Sequence, residues 1–215
     1  MRIILSARSM YEEEKQEAET DSEKSKLSFK KKLGGVTRNI YDVVETLVIA
    51  FAIVVFIYLF IASPHEVIGK SMEDNFYNGE YLLADKISYR FKEPRPGDVV
   101  IFKQTDTADY IKRIIGTPGD TVEIRDGYIF VNGHQLDESE YLDDNIYTDG
   151  GSFLPEGKVF TVPDGKLFVC GDNRGASSDS RSFGAVNMDK IKGRAVLIYW
   201  PLSHLKVVKR PSYNN

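Results

Sequence analysis

The chain has 215 residues, a formal net charge of −4 and a pI near 5.5. With no basic stripe or stacking motif, that balance excludes a general attraction to nucleic acid. The single cysteine, Cys170, excludes an internal disulfide and any cysteine-based metal cluster; His65, His134 and His204 stand in no metal-ligand spacing, so neither a metal nor a cofactor is expected in the chemistry.

Residues 1–39 are polar and mixed in charge, with Glu12, Glu13, Glu14, Glu17 and Glu19 set against Lys24, Lys26, Lys30, Lys31 and Lys32. This composition suits an unpacked tail. Thr46–Ala62 follows without a charge and can recruit Val43 and Val44 if Glu45 reaches toward headgroups, giving an anchor over 40–62 of sufficient length to span a bilayer. The segment lacks the polar stripe of a buried helix in a soluble core. It is also longer, and begins later, than the apolar part of a cleaved secretory signal. Lys30, Lys31, Lys32 and Arg38 precede it, whereas only His65 and Lys70 follow closely, so the tail is expected in the cytoplasm and the rest outside, with a lipid bilayer as partner.

Beyond Ser63 the pattern changes to short runs rich in Val, Ile, Tyr and Phe, punctuated by Gly, Pro, Asp and Asn. This predicts a mainly β, antiparallel domain over 63–215. Thr121–Arg125 and Tyr128–Val131 flank Asp126-Gly127, the pair favoured in a type I′ hairpin turn. Val159–Val162 and Lys166–Cys170 flank Pro163-Asp164-Gly165 in the same manner. Further strands are expected at 81–86, 99–103, 109–115 and 195–200, and the aperiodic polar stretch 133–158 reads as a loop insertion. Cys170, at a strand end, reads as a small buried hydrophobe.

Three strings carry possible chemistry. Ser71 lies nine residues past Ala62, within Val67-Ile68-Gly69-Lys70-Ser71-Met72. Lys112 lies within Tyr110-Ile111-Lys112-Arg113-Ile114-Ile115. A serine hydroxyl attacks only when a base takes its proton, and a lysine can be that base when apolar surroundings lower its pKa. Each signal alone is weak, because strand lysines are mostly solvated and serines beside glycine mostly belong to loops. The third string, Gly171-Asp172-Asn173-Arg174-Gly175-Ala176-Ser177-Ser178-Asp179-Ser180-Arg181, follows an apolar strand directly and alone could be a solvated loop stitched by Asp–Arg pairs.

Taken in order, with Arg95-Pro96-Gly97-Asp98-Val99-Val100 between them, these strings closely resemble the type I signal peptidase family. The resemblance runs from the anchor to about Gly184. It implies an antiparallel β catalytic domain of signal-peptidase type behind one transmembrane helix, acting as a serine endopeptidase on signal-peptide-bearing preproteins. By matching position, Ser71 would be the nucleophile and Lys112 the general base, with Ser177 orienting the lysine. The oxyanion would be held by the Ser71 N–H and a donor from position 69, which, because Gly69 has no side chain, would be a main-chain N–H or another group. Arg113 with Asp172, and Asp179 with Arg181, would support the site, and Arg113 is expected to help depress the Lys112 pKa. Val67, Ile68, Met72, Asp109, Tyr110 and Ile111 would bind an extended substrate.

One departure stands out. The family usually continues Ser-Met-x-Pro-Thr, but here Ser71-Met72-Glu73-Asp74-Asn75 follows. In an extended strand Glu73 would share the Ser71 face and could favour protonated Lys112. This leaves open a degenerate paralogue that binds without cleaving. A self-cleaving repressor-type Ser/Lys peptidase fits less well, because a membrane span stands where its DNA-binding head would be.

Overall fold

A computed structural model describes residues 41–143 and 145–213 of the chain. The tail 1–39, with its lysine cluster, lies outside the described residues. Helix α1 spans Tyr41–Ile61, is long and apolar enough to cross a membrane, and ends in a π-helical turn over Ile57–Ile61. Its side chains are almost all exposed within the protein, and this suits an apolar solvent.

The rest is mainly antiparallel β structure in two sheets. The larger contains β1 (Ala62–Glu66), β2 (Tyr81–Asp85), β3 (Val99–Lys103) and β4 (Asp109–Gly116). The smaller is formed by β5 (Thr121–Arg125), β6 (Tyr128–Val131), β7 (His134–Gln135) and β8 (Val159–Thr161). The chain then returns to the larger sheet with β9 (Lys166–Cys170), β10 (Val186–Asn187), β11 (Ile191–Trp200) and β12 (Lys206–Val207). The larger sheet runs β1-β2-β11-β3-β4-β9-β10 with β12 beside β11, and the smaller runs β7-β6-β5-β8. Two single-turn helices, α2 (Ser88–Phe91) and α3 (Ser180–Phe183), sit in connections.

The alternation of β3 shows why the larger sheet forms. Val99 and Ile101 pack with Met72, Phe76 and Leu82 on one face, whereas Val100 and Phe102 pack with Ile114, Leu167 and Val169 on the other. A strand buried on both faces has no polar side, so its sequence is continuously apolar. The β5–β6 hairpin has Asp126 and Gly127 at φ of 51° and 82°, the left-handed pair that a type I′ turn requires. The 159–170 segment differs from the expected hairpin: β8 pairs with β5, whereas β9 pairs with β4 and β10. Its Pro-Asp-Gly turn carries the chain from one sheet to the other, and the core containing Ile115, Ile124, Leu154 and Phe168 fills the space between.

Stretch 133–158 is irregular apart from β7, yet it buries Leu136, Thr148 and Leu154.

Candidate active site

Ser71 sits in a turn after β1, with hydrogen bonds from the Glu73 N–H to the Lys70 carbonyl and from the Asn75 and Phe76 N–H groups to the Met72 carbonyl. Met72 and Phe76 are buried in the core, so this short helical wrap is pinned by two apolar side chains. Lys112 lies on β4 opposite Val100, sharing a face with Tyr110 and Ile114, and is 3% exposed. Its Nζ donates to Ser71 Oγ at 2.6 Å and to the Ile111 carbonyl at 2.8 Å. Burial pushes the Lys112 ammonium down to about 8, against the upward pull first of Asp179 and then of Asp172. A serine hydroxyl within hydrogen-bond reach of an amine that is easily neutralised is a nucleophile with its base.

Arg113 does not depress that pKa as expected. As the next strand residue it points to the opposite face, where Nε and Nη2 bond the two oxygens of Asp172 at 2.8 and 2.6 Å and Nη1 bonds the Gly97 carbonyl. Burial would lower the guanidinium pKa, but the Asp172 bonds outweigh it and hold Arg113 charged. Its charge is therefore spent on Asp172. Glu73 also departs from expectation, because the segment wraps instead of extending and the carboxylates that act on Lys112 are Asp179 and Asp172.

Asp179 caps α3 and is joined to Arg181 by two side-chain bonds of 2.9 Å, while also accepting the Gly171 N–H. Burial raises the Asp179 pKa, and the Arg181 and Gly171 donors more than offset it, so the group is held below the ordinary carboxylate range. The Ser177 hydroxyl is buried without a hydrogen-bond partner and is not bonded to Lys112; its dipole helps hold Asp179 ionised, but no bond of proper geometry forms. Gly69 (φ 95°) donates its N–H to Asn78 Oδ1 at 2.8 Å, which withdraws it as an oxyanion donor. Among the described residues no acceptor takes the Ser71 N–H.

A cleft opens over the pair, lined on one side by 65–71 and on the other by 107–112. β1 is the edge of its sheet, and β4 pairs with β9 only from Arg113 onward, so the Asp109–Lys112 edge is unpaired on the cleft side. Val67, Ile68, Asp109, Tyr110 and Ile111 all line it. Met72 does not: it is 1% exposed in the core, and its sulfur accepts the Asp172 N–H. At the far end the His65 ring approaches Asp109 at 4.0 Å, and burial lowers its pKa. Cys170 is fully buried in the core, and desolvation pushes its thiol far up, so it is inert.

The signal peptidase model of peptidase family S26 matches residues 40–200. The chain belongs to the S26 signal peptidase family. Relatives include signal peptidase IB of Staphylococcus aureus strain COL, 34% identical over 79% of this chain and 94% of that one. A probable signal peptidase I-2 of a Synechocystis strain is 36% identical over 74% of this chain and 72% of that one. A signal peptidase I structure from Enterococcus faecalis is 32% identical, covering 48% of this chain and 97% of that one, with a TM-score of 0.38. This signal peptidase is thus a hydrolase that removes signal peptides, and the relatives give the degenerate, non-cleaving alternative no support.

Several of the signal peptidase's site contacts were not anticipated from sequence. Arg174, 4% exposed, donates to both Glu138 oxygens and to Thr148 Oγ1, and Arg181 Nη1 donates to the Asp149 carbonyl. The Arg113 guanidinium stacks 4.0 Å from the Tyr141 ring centroid. All four partners come from stretch 133–158, whose lack of periodicity hid that its polar groups satisfy buried arginines. Gly171, at the head of the third string, has a steric role that no local pattern announces. A methyl there would overlap the Ser177 hydroxyl and the Ser71 carbonyl, so the close approach of the two serine segments needs this residue.

Proposed function

We propose that this enzyme hydrolyses the signal-peptide bond of membrane-bound preproteins with Ser71 as nucleophile and Lys112 as general base. The single observation that carries the reading is the 2.6 Å bond between Ser71 Oγ and an Nζ buried to 3% exposure. Neutral Lys112 takes the Ser71 proton as Oγ attacks the scissile carbonyl, and the resulting ammonium protonates the leaving amine. Water, activated by the lysine neutral once more, then releases the acyl group. The unengaged Ser71 N–H faces the developing oxyanion, and Ser177, with its free hydroxyl, steadies the lysine when it turns from Ser71.

Asp172 with Arg113 and Asp179 with Arg181 fix the third string against the first two. The substrate enters as an extended strand between the β1 edge and the free half of β4, where Val67, Ile68, Asp109, Tyr110 and Ile111 meet it. The domain assignment that fits is a cytoplasmic tail over 1–39, a membrane anchor over 40–62 and an extracytoplasmic catalytic domain over 63–215, with 133–158 inserted. The anchor holds the site at the surface where preproteins emerge.

The test is cleavage of a signal-peptide-bearing protein by the detergent-solubilised full chain, with the cut mapped by mass spectrometry. Ser71→Ala and Lys112→Ala are expected to abolish cleavage while remaining folded. Retained cleavage in either purified variant refutes the assignment.

A further inference from the structure

One of the two residues that depart from the family pattern ties all three strings together. Asn75 occupies the end of the Ser71 turn, and its Nδ2 donates to Asp172 Oδ2 at 3.0 Å and to the Tyr141 carbonyl at 2.7 Å. Asp172 Oδ2 is the same oxygen that accepts Arg113 Nη2. On its backbone side, Asn75 donates its N–H to the Met72 carbonyl and accepts the Lys206 ammonium on its own carbonyl. One carboxamide thus links the nucleophile turn, the lysine strand through Arg113, the Asp172 loop and stretch 133–158. The neighbouring bond from the Asn173 N–H to the Ser71 carbonyl, 3.1 Å, connects the same two segments without a side chain.

We propose that Asn75 is a positioning residue of the signal-peptide reaction: its carboxamide holds the Ser71 turn against the Arg113–Asp172 pair, so that Ser71 Oγ stays within bonding reach of Lys112. The geometry favours donation over space-filling, because both Nδ2 partners are oxygens and Asp172 is 1% exposed. A carboxylate so buried requires its donors. Where the family pattern has proline and threonine, this chain replaces a stiff backbone with a side-chain bridge, and Lys206 fastens it from outside. The proposal rests on the reading of Ser71 and Lys112 as the catalytic pair.

The experiment measures kcat, KM and the pH profile of the solubilised full chain with Asn75→Ala, Asn75→Asp, Lys206→Met and Ser71→Ala, each checked by thermal unfolding. Asn75→Ala is expected to lower kcat about tenfold or more with KM within about twofold, since small misplacements of a reacting group are costly. Asn75→Asp keeps the shape but turns the donor into an acceptor facing two oxygens. It is expected to lower kcat at least as far, and to move the acid limb of the profile to higher pH by adding a negative charge beside Asp172, one of the carboxylates that already pull the Lys112 pKa up. Lys206→Met is expected to lower kcat about twofold, the worth of one exposed bond.

An Asn75→Asp enzyme with wild-type kcat and profile overturns the proposal, as does an Asn75→Ala enzyme altered in KM alone. Should both Asn75 variants fail to fold, Lys206→Met decides, and a wild-type kcat there overturns it. Ser71→Ala separates the two readings. Cleavage by that variant would fault the catalytic pair, whereas an inactive Ser71→Ala beside a fully active Asn75→Ala would fault only Asn75.

Discussion

The pH dependence of cleavage should report Lys112 directly, and its size follows from burial. At pH 7 a lysine at the ordinary 10.5 is neutral to only about 0.03%, whereas one near 8 is neutral to about 10%, a gain of roughly 300-fold in competent base. Single-turnover cleavage of a signal-peptide-bearing substrate is therefore expected to rise about tenfold per pH unit below 8 and to level above it. The same burial carries a cost in stability. A lysine whose folded pKa lies below its unfolded value destabilises the fold fully below about pH 8, where both states are protonated, and this cost fades between 8 and 10.5. At about 1.4 kcal/mol per pH unit, over the roughly 2.5 units between 8 and 10.5, it comes to about 3.5 kcal/mol, which the loss of the bonds to Ser71 and Ile111 in a variant would offset in part. Lys112→Met is thus expected to be inactive yet more stable than wild type by about 1–3 kcal/mol at pH 6.5, with the difference closing by pH 10.5, measured by denaturant unfolding in constant detergent. A midpoint near 6.5, as for a histidine, or a Lys112→Met variant less stable at pH 6.5, would refute the reasoning.

Three further outcomes follow from other contacts. Glu138→Ala strips the buried Arg174 of its carboxylate, and is expected to destabilise the domain by about 3 kcal/mol in thermal unfolding although Glu138 touches neither Ser71 nor Lys112. Gly171→Ala forces a methyl against the Ser71 carbonyl and the Ser177 hydroxyl, so kcat should fall by about a hundredfold with the fold retained; an active Gly171→Ala enzyme would show that the serine segments are not held as described. Met72→Ala opens a cavity beneath the nucleophile turn and should lose about 3 kcal/mol by thermal unfolding, whereas a substrate-contacting Met72 would change KM with little loss of stability.

How much of this was legible in sequence depended on whether the responsible interaction was local. The strands at 99–103 and 109–116 and the Asp126-Gly127 turn were readable because alternation and left-handed turn residues act within a few positions. The 159–170 segment was not: the same turn chemistry serves a hairpin and a crossing between sheets, and only the core around Phe168 distinguishes them. At the site, Ser71 and Lys112 stood out by their strings, but the direction of each neighbouring charge did not. Arg113 was expected to act on Lys112 from beside it, yet strand alternation turns it to the other face, where Asp172 neutralises it. Asp179, far from Lys112 in sequence, is the largest charge acting on it. The Glu73-Asp74-Asn75 departure suggests an extended strand with Glu73 on the Ser71 face, but the chain wraps there, and the Asn75 amide becomes a donor to Asp172. A substitution that weakens a backbone constraint can be offset by a side chain from the next residue, and whether that happens is decided by partners such as Tyr141 and Lys206 that no local pattern announces.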